Sequence, residues 1–142
     1  LLYDLAFHGY NAKFHGEGEF AWLSRDKSVG ERFEKDKQRN FIFTADGYAA
    51  LFAAITAISK PAWAESYPKS KPTLIVAGEM DPVGAYGKGP SEVCDRLIES
   101  GCDNISLRLY AGARHELHTE TNKEEFFADI VSWIEKNKLC KE

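Results

Sequence analysis

Two side chains in this sequence are suited to moving protons, Asp81 and His115. An imidazole titrates near neutrality, so it can take a proton from a nucleophile and return it to a leaving group. A carboxylate beside it selects which ring nitrogen carries the hydrogen and stabilises the imidazolium that forms. Asp81 stands just after the apolar run Thr73-Leu74-Ile75-Val76-Ala77, which stops at Gly78. His115 stands five residues after Tyr110, the end of the alternating run Ile105-Ser106-Leu107-Arg108-Leu109-Tyr110. Each residue alone has a plainer reading: an Asp after a strand is often a turn former, and a loop histidine is often only a surface group. Brought together, the two could form an acid-base pair.

The elements around them must do the positioning. A short apolar run without alternation suits a strand buried on both faces. The alternating run suits a strand with one wetter face. Between them, residues 90–100 read as a helix with Val93, Leu97 and Ile98 inward and Gly101 as its stop. A last helix over 122–137 places Phe126, Phe127, Ile130, Trp133 and Ile134 on one stripe, expected to pack in the core. Strand, helix, strand, helix predicts an α/β fold, a short parallel sheet with flanking helices. In such sheets ligands bind beyond the carboxyl ends of the strands. Asp81 and His115 are therefore expected at the same end of adjacent strands.

The first half is less regular. Residues 1–22 show no sustained period. Ser24 or Asp26 can cap a short polar helix over 27–36. Thr44 can cap a helix over 45–59, in which Tyr48, Leu51, Phe52, Ile55 and Ile58 recur at three and four, ended before Pro61. Residues 60–72, with Pro61, Pro68 and Pro72, read as a connector.

Three stretches then carry a specific resemblance: Gly78-Glu79-Met80-Asp81-Pro82-Val83-Gly84, Leu109-Tyr110-Ala111-Gly112-Ala113-Arg114-His115-Glu116, and Glu120-Thr121-Asn122. They resemble the C-terminal end of α/β-hydrolases of the lysophospholipase, monoacylglycerol lipase and serine aminopeptidase-like kind. Upstream, Tyr10-Asn11, Phe14, Trp22-Leu23-Ser24-Arg25-Asp26 and Phe43-Thr44 look, more loosely, like that family's cap. The order Asp before His matches α/β-hydrolases after their serine. The resemblance implies that Asp81 orients His115, the general base and acid. It implies a cap over 1–60 and a C-terminal core part over 61–142. It also implies that residues 20–60 cover an acyl pocket, for which Phe41, Phe43, Tyr48 and Phe52 are the candidate substrate-binding residues; these side chains could equally just bury one helix face. Leu117, His118 and Thr119, and Lys37-Gln38-Arg39-Asn40, depart from the family pattern, which bears on substrate preference more than on fold.

An α/β-hydrolase needs its nucleophile on a GxSxG-type elbow. No serine here has glycine at both i−2 and i+2. Ser28 has Gly30 after it but Asp26 before it, within a charged helix. His15-Gly16-Glu17-Gly18-Glu19 is similar to a His-Gly oxyanion loop, but no elbow serine follows it, and the cap reading covers the same residues. The opening Leu1-Leu2-Tyr3-Asp4-Leu5-Ala6-Phe7 starts mid-pattern, as a cut through a longer protein would; a processed natural start is the other reading.

The remaining features exclude other classes. The 142 residues suit one domain. The net charge of −4, with dispersed lysines, carries no nucleic-acid footprint. Cys94, Cys102 and Cys140 are odd in number and lack CxxC spacing, which argues against a zinc site or disulfide framework and predicts reduced thiols in the cytoplasm. No run approaches the roughly 20 apolar residues of a membrane span. His115, His118 and Glu120 fit no zinc spacing, and His118 reads as a surface residue. Gly87-Lys88-Gly89 lacks the Ser or Thr of a phosphate loop and reads as a turn before a helix. Arg114 is expected to pair with a carboxylate and hold the histidine loop. No metal or organic cofactor is implied.

The expected function is hydrolysis of carboxylic or lipid esters by a serine hydrolase, with this chain a fragment that lacks the nucleophile and is inactive alone. Its expected partners are an ester or lipid substrate, the missing N-terminal half of the same protein, and a second copy through an open strand edge. A non-catalytic half-hydrolase serving as an interaction module is the alternative; a peptidase on the same fold is a second.

Overall fold

Both expected strands form, and they pair with each other. The structure, a computed structural model, describes residues 2–39, 41–60 and 62–137. Leu1, Asn40, Pro61 and Cys140, each used above, lie outside these. Strand β1 (Thr73–Gly78) runs parallel to β2 (Ile105–Tyr110), in step from Thr73 opposite Ile105 to Gly78 opposite Tyr110. Among the described residues the sheet has these two strands. The equal register makes both chains leave the sheet at one level, which is what a site built from two loops requires.

The connection between the strands is α5 (Lys88–Glu99), following α1 (Leu2–Phe7), α2 (Lys27–Lys35), α3 (Ala45–Ile58) and α4 (Ala62–Glu65); α6 (Lys123–Lys136) closes the chain. On one side, Ile75 and Ile105 meet Ala64, Trp63, Tyr67, Leu97 and Cys102. On the other, Val76 and Tyr110 meet Ala113, Leu117 and Phe126. Tyr110 donates to Asp129 Oδ2 at 2.9 Å, tying α6 to the end of β2. A third small core holds Phe20, Leu23 and Val29, with Trp22 and Phe33 against it.

Helix starts follow the capping residues. Asp26 accepts from Ser28 N–H and Thr44 from Gly47 N–H, each satisfying a donor at a helix start. The α5 helix begins two residues earlier than expected, because Gly87, at φ 86°, makes the left-handed turn into it. Residues 1–22 are not wholly irregular: α1 and a 3-10 turn over Ala21–Leu23 form there. The connector over 60–72 contains α4.

Several core assignments change. Cys94 and Leu97, not Val93 and Ile98, face inward from α5; Val93 and Ile98 are exposed. On α6, Phe126 packs edge-on to Tyr110, while Phe127 is exposed. On α3 only Tyr48 is buried, and Leu51, Phe52, Ile55 and Ile58 face outward. In β1 only Ala77 and Gly78 are buried, so the strand is not covered on both faces along its length. The cause is common. Periodicity marks an apolar face, but two strands present too little surface to cover every such face.

Candidate active site

The acid loop begins where β1 ends. Asp81 is buried, and its carboxylate is divided between two tasks. Oδ1 accepts the Val83 N–H at 2.8 Å, an Asx-type turn two residues on. Oδ2 meets His115 Nδ1 at 3.0 Å. The loop then passes through Ala85 and Tyr86, both at positive φ, and Tyr86 N–H closes it on the Asp81 carbonyl at 2.8 Å.

The histidine loop is zipped to the acid loop. Glu79 N–H donates to the Tyr110 carbonyl at 3.0 Å, and Met80 N–H to the Ala113 carbonyl at 2.8 Å. Gly112 N–H donates to Glu79 Oε2 at 3.0 Å. The approach is close at Gly78: a Cβ there would lie 2.1 Å from the Arg114 carbonyl oxygen and 2.3 Å from that of Ala113. The glycine that stops β1 is thus what lets the loop carrying His115 lie against the loop carrying Asp81.

His115 is held from a third direction by residues 14–25. Its N–H donates to the Trp22 carbonyl at 3.3 Å, and Glu116 N–H to Leu23 at 2.8 Å. The Trp22 ring lies 5.2 Å from the imidazole. Arg114 behaves as expected. Its guanidinium pairs with Glu17 at 2.7 Å, donates to the Ala21 carbonyl at 2.7 Å and lies 4.0 Å over the Phe14 ring.

The electrostatics follow from these contacts. A carboxylate only accepts, so Nδ1 carries the hydrogen and the neutral ring keeps its lone pair on Nε2. The hydrogen bond to Asp81 raises the His115 pKa above the ordinary histidine value; burial opposes this, and the charges of Asp81 and Glu116 add to it. Tyr10, which stacks edge-on to Trp22, has its hydroxyl pKa raised by burial and by the Asp81 charge.

Of the four candidate substrate-binding residues, Phe41, Phe43 and Tyr48 line one cavity of about 160 Å³, together with Tyr3, Phe7, Phe20, Trp22, Phe33 and Arg39. Phe52 does not line it; its ring stacks 6.0 Å from Tyr48 and is exposed outward. Trp22 belongs both to this cavity and to the surroundings of His115, so the two features share a wall.

Ser28 is occupied elsewhere: its hydroxyl donates to Asp26 Oδ1 at 2.7 Å and accepts from Arg32 at 2.8 Å, as part of the α2 cap. His118 is exposed. Among the described residues no group of three or more His, Cys, Asp or Glu is placed to hold a metal ion, and no helix is long and apolar enough to cross a membrane.

A family model described as "Serine aminopeptidase, S33" matches residues 4–122. The chain belongs to the S33 serine aminopeptidase family. Two solved structures show the same fold. One is a highly thermostable carboxyl esterase from Bacillus coagulans in complex with glycerol, at 25% identity and a TM-score of 0.81. The other is a lipase in its open form, at 29% identity and a TM-score of 0.80. Each match covers 95% of this chain and 44% of the other, so the chain spans less than half the length of either structure. No curated protein matches it. The two parallel strands and their flanking helices are thus part of an α/β-hydrolase fold, and this S33-family chain is a hydrolase-family sequence.

Three residues that shape the site were given no positioning role by the sequence: Gly78, read only as the stop of the first strand, Trp22 and Glu120. Each lies in a stretch that resembles the family. Glu120, weighed from the sequence only beside His115 and His118 as a zinc set, is 2% exposed.

Proposed function

We propose that this chain supplies the acid, the base and part of the acyl pocket of a serine hydrolase that cleaves carboxylic esters, of lysophospholipase or monoacylglycerol lipase type. The observation that carries this is the bond between His115 Nδ1 and Asp81 Oδ2, made between two loops that leave adjacent parallel strands at one end. The esterase and lipase structures of the same fold point to the same chemistry.

On this reading, Nε2 of His115 takes the proton of a serine hydroxyl as that oxygen attacks the ester carbonyl. It then gives the proton to the departing alcohol, and repeats both steps with water to release the acid. Asp81 holds the ring and stabilises the imidazolium. The cavity of about 160 Å³ beside Trp22 receives part of the acyl group; an apolar cavity of this order takes about a benzene-sized group. Residues 1–60 serve as the cap and 61–142 as the core part that bears both loops. The serine, and the donors of the oxyanion hole, come from residues outside this chain.

The test has two arms. A fluorophosphonate probe should leave the isolated chain unlabelled; labelling that disappears in Ser28→Ala would overturn the assignment of the nucleophile. The longer reading frame, if it carries a GxSxG elbow upstream of Leu1, should hydrolyse a p-nitrophenyl ester. Replacing His115 by Ala should then reduce kcat by about 10³-fold or more. Undiminished turnover in that variant would end the catalytic reading.

A second reading is an interaction module. It is favoured by the outward row Leu51, Phe52, Ile55 and Ile58 on α3. An upstream frame that opens with a start codon and lacks an elbow would support it.

A further inference from the structure

We infer that Glu120 is a positioning residue for His115: its buried carboxylate gathers N–H donors from Arg25 and Arg114, locks residues 20–25 to the histidine loop, and so holds the imidazole between Asp81 and Trp22. This rests on the Asp81–His115 reading above and extends it to a residue outside the pair.

The Glu120 side chain is 1% exposed. Oε1 accepts Arg114 N–H at 2.8 Å and Arg25 N–H at 3.1 Å. Oε2 accepts Arg25 Nε–H at 2.7 Å and Thr121 N–H at 3.0 Å. A carboxylate offers about four lone-pair sites, and all are taken. Burying such a charge is costly unless it is fully paired. Burial alone pushes this carboxyl up; the N–H groups of Arg114, Arg25 and Thr121 together outweigh it and hold its pKa below the ordinary glutamate value. The group is thus ionised and its geometry is over-determined.

What Glu120 grips decides its role. Arg114 is joined by one peptide to His115. Arg25 lies three residues from Trp22, whose carbonyl accepts the His115 N–H and whose ring stands 5.2 Å from the imidazole. The Arg25 guanidinium also bonds Asn122, and Ser24 Oγ donates to the Thr119 carbonyl at 3.1 Å, so the grip is continuous along both segments. The imidazole sits between an acid loop on one side and this clamped pair of segments on the other. The charged groups that face it are Asp81 and Glu116, with Tyr10 beside Asp81. Loosening the clamp lets the ring drift from Asp81 without touching Asp81 itself.

The test is the titration of His115, followed by NMR in this chain, in the wild type and in Glu120→Gln and Asp81→Asn. A glutamine turns amide hydrogens toward N–H donors, so two of the four bonds are lost. The wild-type pKa should lie above about 6.5, the ordinary histidine value, and in folded Glu120→Gln it should fall back toward it. A folded variant with a lower thermal midpoint but wild-type titration would show a merely structural glutamate and overturn the inference. Asp81→Asn should lower the same pKa; if it does not, the acid-base pair itself fails, a distinguishable result. If Glu120→Gln does not fold, Arg25→Lys keeps the main-chain bond and loses the Nε donor. It should move the His115 titration in the same direction, and wild-type titration in that variant would overturn the inference.

Discussion

At the scale of single residues, the site depends on a division of labour within one carboxylate. Asp81 Oδ1 is spent on the turn and Oδ2 on His115. The bond raises the His115 pKa, and two pH effects follow with opposite consequences. On the proposed reading the neutral ring is the base, so in a longer protein that carries the nucleophile kcat/KM should rise with pH through a value above about 6.5. Asp81→Asn should move that limb to lower pH and cut kcat by roughly 10³- to 10⁴-fold. Stability runs the other way. A group whose folded pKa is raised contributes fully below its unfolded pKa and loses the contribution as pH rises through the folded one. Urea unfolding of this chain from pH 5.5 to 8 should show that loss in the wild type and not in His115→Gln. Gly78 belongs to the same scale. Gly78→Ala sets a methyl against two carbonyl oxygens, and should cost about 1–3 kcal/mol in urea unfolding, as overpacking does.

At the scale of elements, the histidine loop and the segment of residues 14–25 form one unit although some 90 residues separate their bonded partners. Glu120 has the opposite linkage to His115. Its folded pKa is lowered, so its contribution is present above the unfolded value near 4.5 and is lost as pH falls through the folded one. Acid unfolding should therefore begin at higher pH in the wild type than in Glu120→Gln, once the stability already lost in that variant is subtracted. Elsewhere, α3 presents Leu51, Phe52, Ile55 and Ile58 outward, and Ile58 is 69% exposed. Surface substitutions of this kind change stability by about 0.5 kcal/mol or less. Ile55→Glu with Ile58→Glu should therefore keep the thermal midpoint and reduce self-association in light scattering. Equal association in both proteins would direct attention to the edge of β1 that has no partner strand among the described residues.

At the scale of the molecule, the chain matches 44% of the length of each esterase or lipase structure of its fold. The loops that carry Asp81 and His115 both lie within that part, because both spring from β1 and β2. The nucleophile elbow belongs to another strand-to-helix turn of such folds. Adding a polypeptide that carries the elbow to this chain should bury the α3 row. Hydrogen exchange over 45–58 should slow on mixing, and unchanged exchange there would argue against that face as the meeting surface.

Local rules were sufficient for both strands, for the cap at Thr44, for narrowing the other cap to Ser24 or Asp26, and for placing Asp81 and His115 at one end of the sheet. Backbone period, capping and the direction of parallel strands are properties of neighbours along the chain. The burial of individual side chains was not of that kind. Val93, Ile98 and Phe127 satisfy an apolar period yet face outward, since burial depends on which other element covers a face. Nothing local marks Glu120 as buried: apart from its neighbour Thr121, its donors come from Arg25 and Arg114, at separations of 95 and 6 residues. Chemistry-bearing types and their order were thus written in the sequence. Only the tertiary structure decided which charged group lies buried behind the histidine, because a carboxylate can remain ionised out of water only where the fold brings it enough N–H donors.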